Sequence, residues 1–172
     1  MALTFVTGGA RSGKSGYALR LAAASGAPVV MIATAEARDD EMRERIAVHR
    51  RERPAGWRTV EEPLELAGAL RGLAADELAI VDCLSLWVSN LLEADPDPAS
   101  IERLAAEAAG LAARHPAGCV AVTNEVGMGI VPLNELARAY RDVIGRVNAI
   151  WAAAADEAFL AVSGRVLRLE RA

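Results

Sequence analysis

The stretch Ala2–Ser15, which reads Ala-Leu-Thr-Phe-Val-Thr-Gly-Gly-Ala-Arg-Ser-Gly-Lys-Ser, decides the fold of this 172-residue chain. Its apolar first half predicts a buried strand, and Ser12–Ala24 predicts a helix directly after the loop. The loop matches the pattern G-x-x-x-x-G-K-[ST], in which glycines let backbone N–H groups face phosphate oxygens at a helix N-terminus. We therefore expect this loop to bind the phosphates of ATP or GTP through Gly8, Gly9, Ala10, Arg11, Ser12, Gly13, Lys14 and Ser15.

Two side chains of this loop carry the expected chemistry. Lys14 is expected to reach the β- and γ-phosphates as a catalytic residue, and Ser15 to coordinate Mg²⁺. Lys14 is also the only lysine among the 19 basic residues of the chain. A position that keeps lysine in such an arginine-rich chain requires a compact ammonium group on a flexible side chain, which the planar guanidinium of arginine cannot replace.

Apolar runs and helical segments alternate along the rest of the chain. The predicted strands after the first are Pro28–Thr34, Leu78–Asp82, Cys119–Thr123, Glu157–Ser163 and Val166–Leu169. The predicted helices after the first are Asp39–Arg53, Pro63–Leu73, Leu84–Leu92, Ala99–Arg114 and Leu133–Ala155, with a loop at Asp95–Pro98. This alternation predicts a single α/β domain over residues 1–172, of the P-loop NTPase type. Its mostly parallel sheet has helices on both faces and an antiparallel hairpin at the C-terminal edge.

Composition excludes several classes of protein. Hydrophobic residues make up 53% of the chain and aromatic residues only 4%, so the core must consist mainly of Ala, Leu, Val and Ile. No apolar run approaches the roughly 20 residues of a membrane span. The net charge of −4 argues against a nucleic-acid-binding surface. Cys83 and Cys119 are expected to be buried, reduced thiols, and the protein to be soluble and cytoplasmic.

Acidic residues follow two of the predicted strands. Asp82 ends Leu78–Asp82, where an acid that holds Mg²⁺ directly or through water belongs in P-loop enzymes. The alternative is an aspartate that caps the next helix. Glu125 follows the next strand and would orient a nucleophile or bind substrate. Ligands of such sheets lie beyond the carboxyl ends of the strands, where both acids are expected.

One of the two histidines lies on a strongly basic helix. Arg45, His49 and Arg53 are spaced i, i+4, i+8 and share one helix face, with Arg50 and Arg51 beside it. These arginines could hold a triphosphate in line for attack by the imidazole. The alternative is a solvated charged helix that happens to include a histidine. The other histidine, His115, is expected to be a solvated surface residue.

Over essentially its full length the sequence resembles the bifunctional adenosylcobinamide kinase / adenosylcobinamide-phosphate guanylyltransferase family of cobalamin biosynthesis. The segments that carry this resemblance are VTGGARSGKS at 6–15, IATA at 32–35, DDEMRERI at 39–46 with His49, RPAGWRTVEEP at 53–63, VDCLSLWVSNLL at 81–92, TNEVGMGIVP at 123–132 and GRVNAIWAAAADEAFLAVSG at 145–164. TNEVGMGIVP is long and specific, and it turns a general P-loop assignment into a family assignment.

The resemblance implies two reactions. ATP or GTP phosphorylates adenosylcobinamide, and GMP is then transferred from GTP to adenosylcobinamide phosphate through a GMP-histidine intermediate, which falls on His49. Some relatives have two adjacent histidines here, whereas this chain has Val48 and His49. The resemblance also implies a homotrimer, in which Trp87 and Trp151 would be interface anchors or core residues. The further nucleotide-binding residues that it implies are Ala33, Thr34, Ala35, Arg50, Arg51, Glu52, Arg53 and Glu61. Glu62 follows Glu61 directly, and the alternative is that both are solvated acids in a loop. Asp82 is expected at the nucleotide from its position at the end of its strand.

Two other functions fit parts of the sequence. One is a P-loop small-molecule kinase without guanylyl transfer, in which His49 would have no chemical role. The other is a non-catalytic, nucleotide-gated binding module, for which this chain lacks a basic face and separate effector domains.

Overall fold

The computed structural model describes residues 3–94 and 97–171, apart from the side chains of Arg45 and Glu52. Seven strands form a single sheet. They are β1 (Leu3–Gly8), β2 (Val29–Ala33), β3 (Arg58–Glu61), β4 (Leu78–Asp82), β5 (Cys119–Val122), β6 (Glu157–Val162) and β7 (Arg165–Leu169). Their order in the sheet is β3-β2-β4-β5-β1-β6-β7.

All neighbouring strands are parallel except β6 and β7, which form an antiparallel hairpin. The central strands β1, β2 and β5 are buried along their whole length, as expected for a parallel sheet that is covered on both faces. This architecture confirms the predicted fold class. Because β1, β2, β4 and β5 run in the same direction, their carboxyl ends meet at one edge of the sheet.

Helices cover both faces of the sheet. They are α1 (Lys14–Ala24), α2 (Asp40–Glu52), α3 (Leu66–Arg71), α4 (Leu84–Ala94), α5 (Pro98–Arg114) and α6 (Glu135–Ala154). Helices α3 to α6 pack on one face, and α1 packs on the other, so that two apolar clusters built mainly from Ala, Leu, Val and Ile flank the sheet. Among the described residues, none of the helices combines the length and the apolar character that crossing a membrane requires.

Several predicted helix boundaries differ from the structure by one to three residues. The helix predicted from Leu133 starts at Glu135, since the side chain of Asn134 accepts a hydrogen bond from the Ala137 N–H. The helix predicted from Pro63 starts at Leu66. In the predicted loop 95–98, residues 95 and 96 lie outside the described part of the chain, and Pro98 is already the first residue of α5.

Strand β3 was not predicted. It contains only four residues, its burial pattern is mostly exposed, and it lies at an edge of the sheet. Such a short polar strand gives no period-two alternation of apolar residues. Its position follows from its pairing with β2, and this pairing brings the end of β3 to the same sheet edge as the phosphate loop.

Helix α2 is peripheral. Asp39 caps it by accepting a hydrogen bond from Met42 N–H at 2.7 Å, and the chain leaves the helix at Arg53, before Pro54. None of the side chains described on α2 is buried. The helix is therefore attached to the core mainly through the segments at its two ends.

Candidate active site

The phosphate loop connects β1 and α1 as the sequence predicts. Gly13 has a φ of +95°, a conformation that glycine adopts readily and other residues do not, and α1 begins immediately after it. The helix therefore begins at Lys14 and not at Ser12 as predicted. The ammonium of Lys14 donates a hydrogen bond to Gly9 O at 3.1 Å, which holds it across the loop.

The turn of the β6–β7 hairpin is in contact with the phosphate loop. The backbone N–H of Gly164 donates to Ser12 O at 2.9 Å. A Cβ atom on Gly13 would lie 3.2 Å from Gly164 Cα, and one on Gly8 would lie 2.4 Å from the carbonyl oxygen of Ala161. The loop thus lies in direct backbone contact with the hairpin, which leaves room only for glycine at these positions.

This contact predicts different effects for two neighbouring glycines. Gly8→Ala forces a methyl group into the Ala161 carbonyl and is expected to lower the free energy of unfolding by about 1–3 kcal/mol. Gly9→Ala is the control, because its added Cβ meets no atom within 4 Å, and its effect should stay within about 0.5 kcal/mol. Urea denaturation of both variants measures the difference. Equal stabilities would contradict the packing described here.

A cavity of about 790 Å³ lies at the carboxyl edge of the sheet, between the phosphate loop and α2. It brings together residues from five different segments of the chain. The predicted site residues that line it are Lys14, Ser15, Ala33, Ala35, His49, Arg50, Arg53, Glu61 and Asp82. Its basic side chains outnumber its carboxylates, although the chain as a whole has a net charge of −4. The cavity is therefore suited to an anionic ligand.

Asp82 interacts electrostatically with Arg53, one of the arginines that line the cavity. Burial lowers the pKa of the half-buried Arg53 guanidinium; the charge of Asp82 raises it, and the charge of Arg50 lowers it. Lys14, Ser15 and Asp82 line the same cavity, so a hydroxyl and a carboxylate oxygen face the space beside the phosphate loop. These hard oxygen donors are of the kind that Mg²⁺ prefers.

His49 enters the cavity from one face of α2. The cavity-lining positions of this helix are spaced three or four residues apart, as a single helix face requires. They include Met42, Arg43, Ile46, His49 and Arg50. Of the three residues predicted to share a face, His49 and Arg53 both line this cavity, although Arg53 lies just past the end of α2, and the side chain of Arg45 lies outside the described residues. Ile46, an apolar residue among charges, marks this face in the sequence.

The structure gives the adjacent glutamates Glu61 and Glu62 different roles. Glu61 lines the cavity and forms an ion pair with Arg50. The Glu62 carboxylate instead accepts hydrogen bonds from the N–H groups of Leu64, at 3.1 Å, and Glu65, at 2.9 Å. Glu62 therefore stabilises the start of α3, and Glu61 remains directed toward the cavity.

Some residues predicted for the site are not among the described residues that line this cavity. Thr34 is fully buried and its hydroxyl donates to Cys83 O, so it shapes the cavity wall without lining it. Arg51 is exposed and is not among the described residues that line the cavity. The side chain of Glu52 lies outside the described residues. Glu125 accepts a hydrogen bond from Gly127 N–H at 2.7 Å, within its own loop.

His115 is not a solvated surface residue, contrary to the prediction. It is half-buried, and its Nε2–H donates to Glu77 O at 2.6 Å. Glu77 directly precedes β4, whereas Asp82 ends that strand. His115 therefore lies at the opposite edge of the sheet from the cavity, roughly 15 Å away along β4.

The cysteines and two tryptophans belong to the core of the chain. Cys83 and Cys119 are free, buried thiols, as predicted, and burial raises the pKa of Cys119 to about 12. Trp87 and Trp151 are 1% and 0% exposed. Their burial within one chain favours the core alternative over the interface alternative for both.

Sequence reasoning missed several residues of the cavity. Arg38 and Arg43 line it from the loop before α2 and from α2 itself, and Asn124 lines it from the end of β5. Arg43 lies on the same helix face as Arg50, seven positions away, which is the signal that could have found it. No comparable sequence signal marks Arg38.

Comparison with known proteins identifies the family of this chain. The family model described as cobinamide kinase / cobinamide phosphate guanyltransferase matches residues 4–169. The bifunctional adenosylcobalamin biosynthesis protein CobP of Pseudomonas aeruginosa is 47% identical over 96% of this chain and 95% of its own length. The proteins named CobU of Escherichia coli and Salmonella typhimurium are 46% and 47% identical, each over 94% of this chain and 96% of its own length. The chain belongs to the cobinamide kinase / cobinamide phosphate guanyltransferase family.

Proposed function

We propose that this chain phosphorylates adenosylcobinamide with ATP or GTP and then transfers GMP from GTP to the product, giving adenosylcobinamide-GDP and pyrophosphate. The observation that carries this proposal is the single cavity that Lys14 and His49 both line. A phosphate loop alone fits many kinases. A histidine facing the same phosphates adds a nucleophile that a simple kinase does not use, and membership of the family supports both activities.

In the kinase step, the hydroxyl oxygen of the aminopropanol arm attacks the γ-phosphorus of ATP or GTP. The bond from γ-phosphorus to the bridging oxygen breaks, and the nucleoside diphosphate leaves. Lys14 and the backbone N–H groups of Gly8–Ser15 stabilise the charge on the transferred group. The hydroxyl proton passes to water as the new O–P bond forms.

In the transfer step, a ring nitrogen of His49 attacks the α-phosphorus of GTP. A P–N bond forms, the bond to the β-phosphate oxygen breaks, and pyrophosphate leaves. An oxygen of the substrate phosphate then attacks the same phosphorus, and the P–N bond breaks to regenerate the imidazole. The covalent intermediate divides a reaction between two anions into two steps. Arg50 and Arg53 line the cavity beside His49, where they are placed to offset the negative charge.

The site also fits Mg²⁺, which we propose as the metal. Ser15 and Asp82 would hold it together with nucleotide phosphate oxygens, a mode typical of this ion because it retains few protein ligands. The described residues contain no group of three or more His, Cys, Asp or Glu that could form an all-protein metal site, which agrees with shared coordination. When bound, the ion neutralises phosphate charge.

Guanine recognition is proposed for Glu61. Glu61 also lines an adjoining cavity of about 360 Å³ that includes Trp57 and Thr59. A carboxylate can accept hydrogen bonds from both N1–H and the N2 amino group of guanine, whereas adenine lacks this pair of donors. An indole offers a face on which a base can stack. Ala33, Ala35 and Arg50, which are also predicted to contact the nucleotide, line the larger cavity of about 790 Å³.

Paired substitutions test this assignment. Glu61→Ala is expected to raise the KM for GTP in the transfer step about tenfold, with little loss of stability because its side chain is 58% exposed. Glu62→Ala is the matched control and should lower the free energy of unfolding by about 1–2 kcal/mol with the KM nearly unchanged. The reverse pattern would assign the guanine contact to Glu62.

We also propose a cytoplasmic homotrimer. An exposed apolar segment supports an interface between copies, because a lone soluble chain rarely exposes such side chains together. It contains Met128, Ile130, Val131, Leu133 and Leu136, of which Ile130 is 97% and Leu133 100% exposed. A dilution series followed by light scattering and activity tests the trimer, and a fully active monomer would contradict it.

The two activities are tested by identifying their products. With adenosylcobinamide and ATP alone, mass spectrometry should detect adenosylcobinamide phosphate and no further product. Addition of GTP should convert it to adenosylcobinamide-GDP with one pyrophosphate per product. Phosphorylation without any conversion after GTP is added would leave a plain P-loop kinase. Absence of both products would favour a binding module.

A further inference from the structure

Asn90 is a buried polar residue in the mostly apolar helix α4. It is 6% exposed. Its amide Nδ2 donates to Thr34 O at 2.8 Å and to Pro63 O at 3.1 Å, and its Oδ1 accepts from Arg38 Nη2 at 3.1 Å. The amide therefore uses both of its N–H groups and its carbonyl oxygen. Its partners are two backbone carbonyl oxygens and one arginine side chain, all outside α4.

These three contacts lie near the two ends of one segment of the chain, residues 35–62. We name residues 35–62 the His49 arm; it contains α2 and β3. Thr34 immediately precedes the arm, and Pro63 immediately follows it. Arg38 lies in the segment that leads into α2, and it also forms ion pairs with Glu36 and Glu93. Asn90 thus joins the entry and the exit of the arm to a single buried amide.

The position of His49 depends on these ends because α2 has no buried face. Its other contacts are at the surface, such as the ion pair of Arg50 with Glu61 and the hydrogen bond from Arg53 to Thr59 Oγ1. None of the described side chains of α2 is buried, so no packed face holds the helix in place. At the entry, Thr34 is also tied to Cys83, whose N–H donates to Thr34 Oγ1 at 2.9 Å. At the exit, Trp87 Nε1 donates to Leu64 O at 2.8 Å. The backbone also joins the two ends, because the Glu62 N–H donates to Ala33 O at 3.0 Å, and the side chain of Asn90 adds hydrogen bonds to both ends from α4.

We propose that Asn90 is a positioning residue for guanylyl transfer: by fixing both ends of the His49 arm, it holds the imidazole in line with the α-phosphorus. This role rests on the proposed function. The phosphate loop that serves the kinase step is held instead by β1, α1 and the β6–β7 hairpin tip. Loss of the Asn90 hydrogen bonds should therefore slow transfer much more than phosphorylation.

The test compares two rates in the same protein samples. Asn90→Leu removes all three hydrogen bonds at nearly constant volume, and Asn90→Asp keeps the shape but removes both donors. Single-turnover formation of the covalent GMP adduct at saturating GTP gives the first rate, and phosphorylation of adenosylcobinamide at saturating ATP gives the second. Unfolded molecules contribute to neither rate, so their ratio is unaffected by partial unfolding. Ser89→Ala, one position away on the same helix, is the control.

For both Asn90 variants we expect the ratio of adduct formation to phosphorylation to fall about tenfold or more, with the GTP concentration for half-maximal adduct formation nearly unchanged. The control should keep the wild-type ratio. An unchanged ratio in the Asn90 variants, alongside adduct formation in the wild type, overturns the role of Asn90 alone. Absence of any adduct in the wild-type protein overturns the proposed transfer and this role with it.

Discussion

Replacement of Lys14 by methionine is expected to lower both activities by about 100- to 1,000-fold, the usual cost of removing one donor that stabilises transition-state charge. The ammonium lies across the phosphate loop and lines the same cavity as His49. It is therefore placed to act on the transferred phosphoryl group in one reaction and on the leaving pyrophosphate in the other. Parallel assays of adenosylcobinamide phosphorylation and of adduct formation measure the two losses.

Lys14→Arg is the informative companion variant. It keeps the charge, but a planar guanidinium cannot replace a slim ammonium inside a closely packed loop. We expect it to lose most of both activities as well, although every other basic residue except the histidines in this chain is an arginine. Loss of the kinase step alone in either variant would contradict a phosphate site that both reactions share.

Replacement of His49 by alanine is expected to abolish guanylyl transfer, by at least about 1,000-fold, because the nucleophile itself is removed. Phosphorylation of adenosylcobinamide should stay within about threefold of wild type, since the phosphate loop does not depend on this side chain. The half-buried imidazole lies on a helix without a buried face, so stability should change little. Separate assays of the two reactions give the result.

His115→Ala provides the control for the loss of an imidazole. His115 lies at the other edge of the sheet, bonded to the Glu77 carbonyl oxygen. We expect that variant to keep both activities, with a modest loss of stability from the carbonyl left without its donor. Loss of transfer in His115→Ala with retention in His49→Ala would show that the nucleophile was assigned wrongly.

The sequence predicted the phosphate loop and the sheet well because both depend on local patterns. Glycines, lysine and serine at fixed spacing between an apolar strand and a helix are specific to a phosphate-binding loop. Continuous apolar runs predict the strands of a parallel sheet. Asp82 and the loop meet for a topological reason: their strands, β4 and β1, end at the same edge of the sheet. His49 faces this edge, but that placement depends on where α2 lies and not on its own periodicity.

Other features depended on tertiary contacts that leave no local trace. Strand β3 is short and polar, and it exists because β2 offers it an edge to pair with. Nothing in the local sequence distinguishes Glu61 from Glu62; they differ because the Glu62 carboxylate accepts hydrogen bonds from two N–H groups at the start of α3. Nothing in the local sequence distinguishes Asn90 from the other polar residues of α4, and its partners Thr34 and Pro63 are far away in sequence.

The most direct test of the account is a covalent label on His49. The purified protein is incubated with Mg²⁺ and GTP labelled at the α-phosphorus, denatured, and mapped by peptide mass spectrometry, with His49→Ala in parallel. A second sample is chased with adenosylcobinamide phosphate before denaturation. We predict a label that survives alkali, is lost in acid, lies on His49 and passes to adenosylcobinamide-GDP in the chase. A wild-type protein that forms adenosylcobinamide-GDP without ever carrying label, or a His49→Ala protein labelled to the same extent, would contradict it.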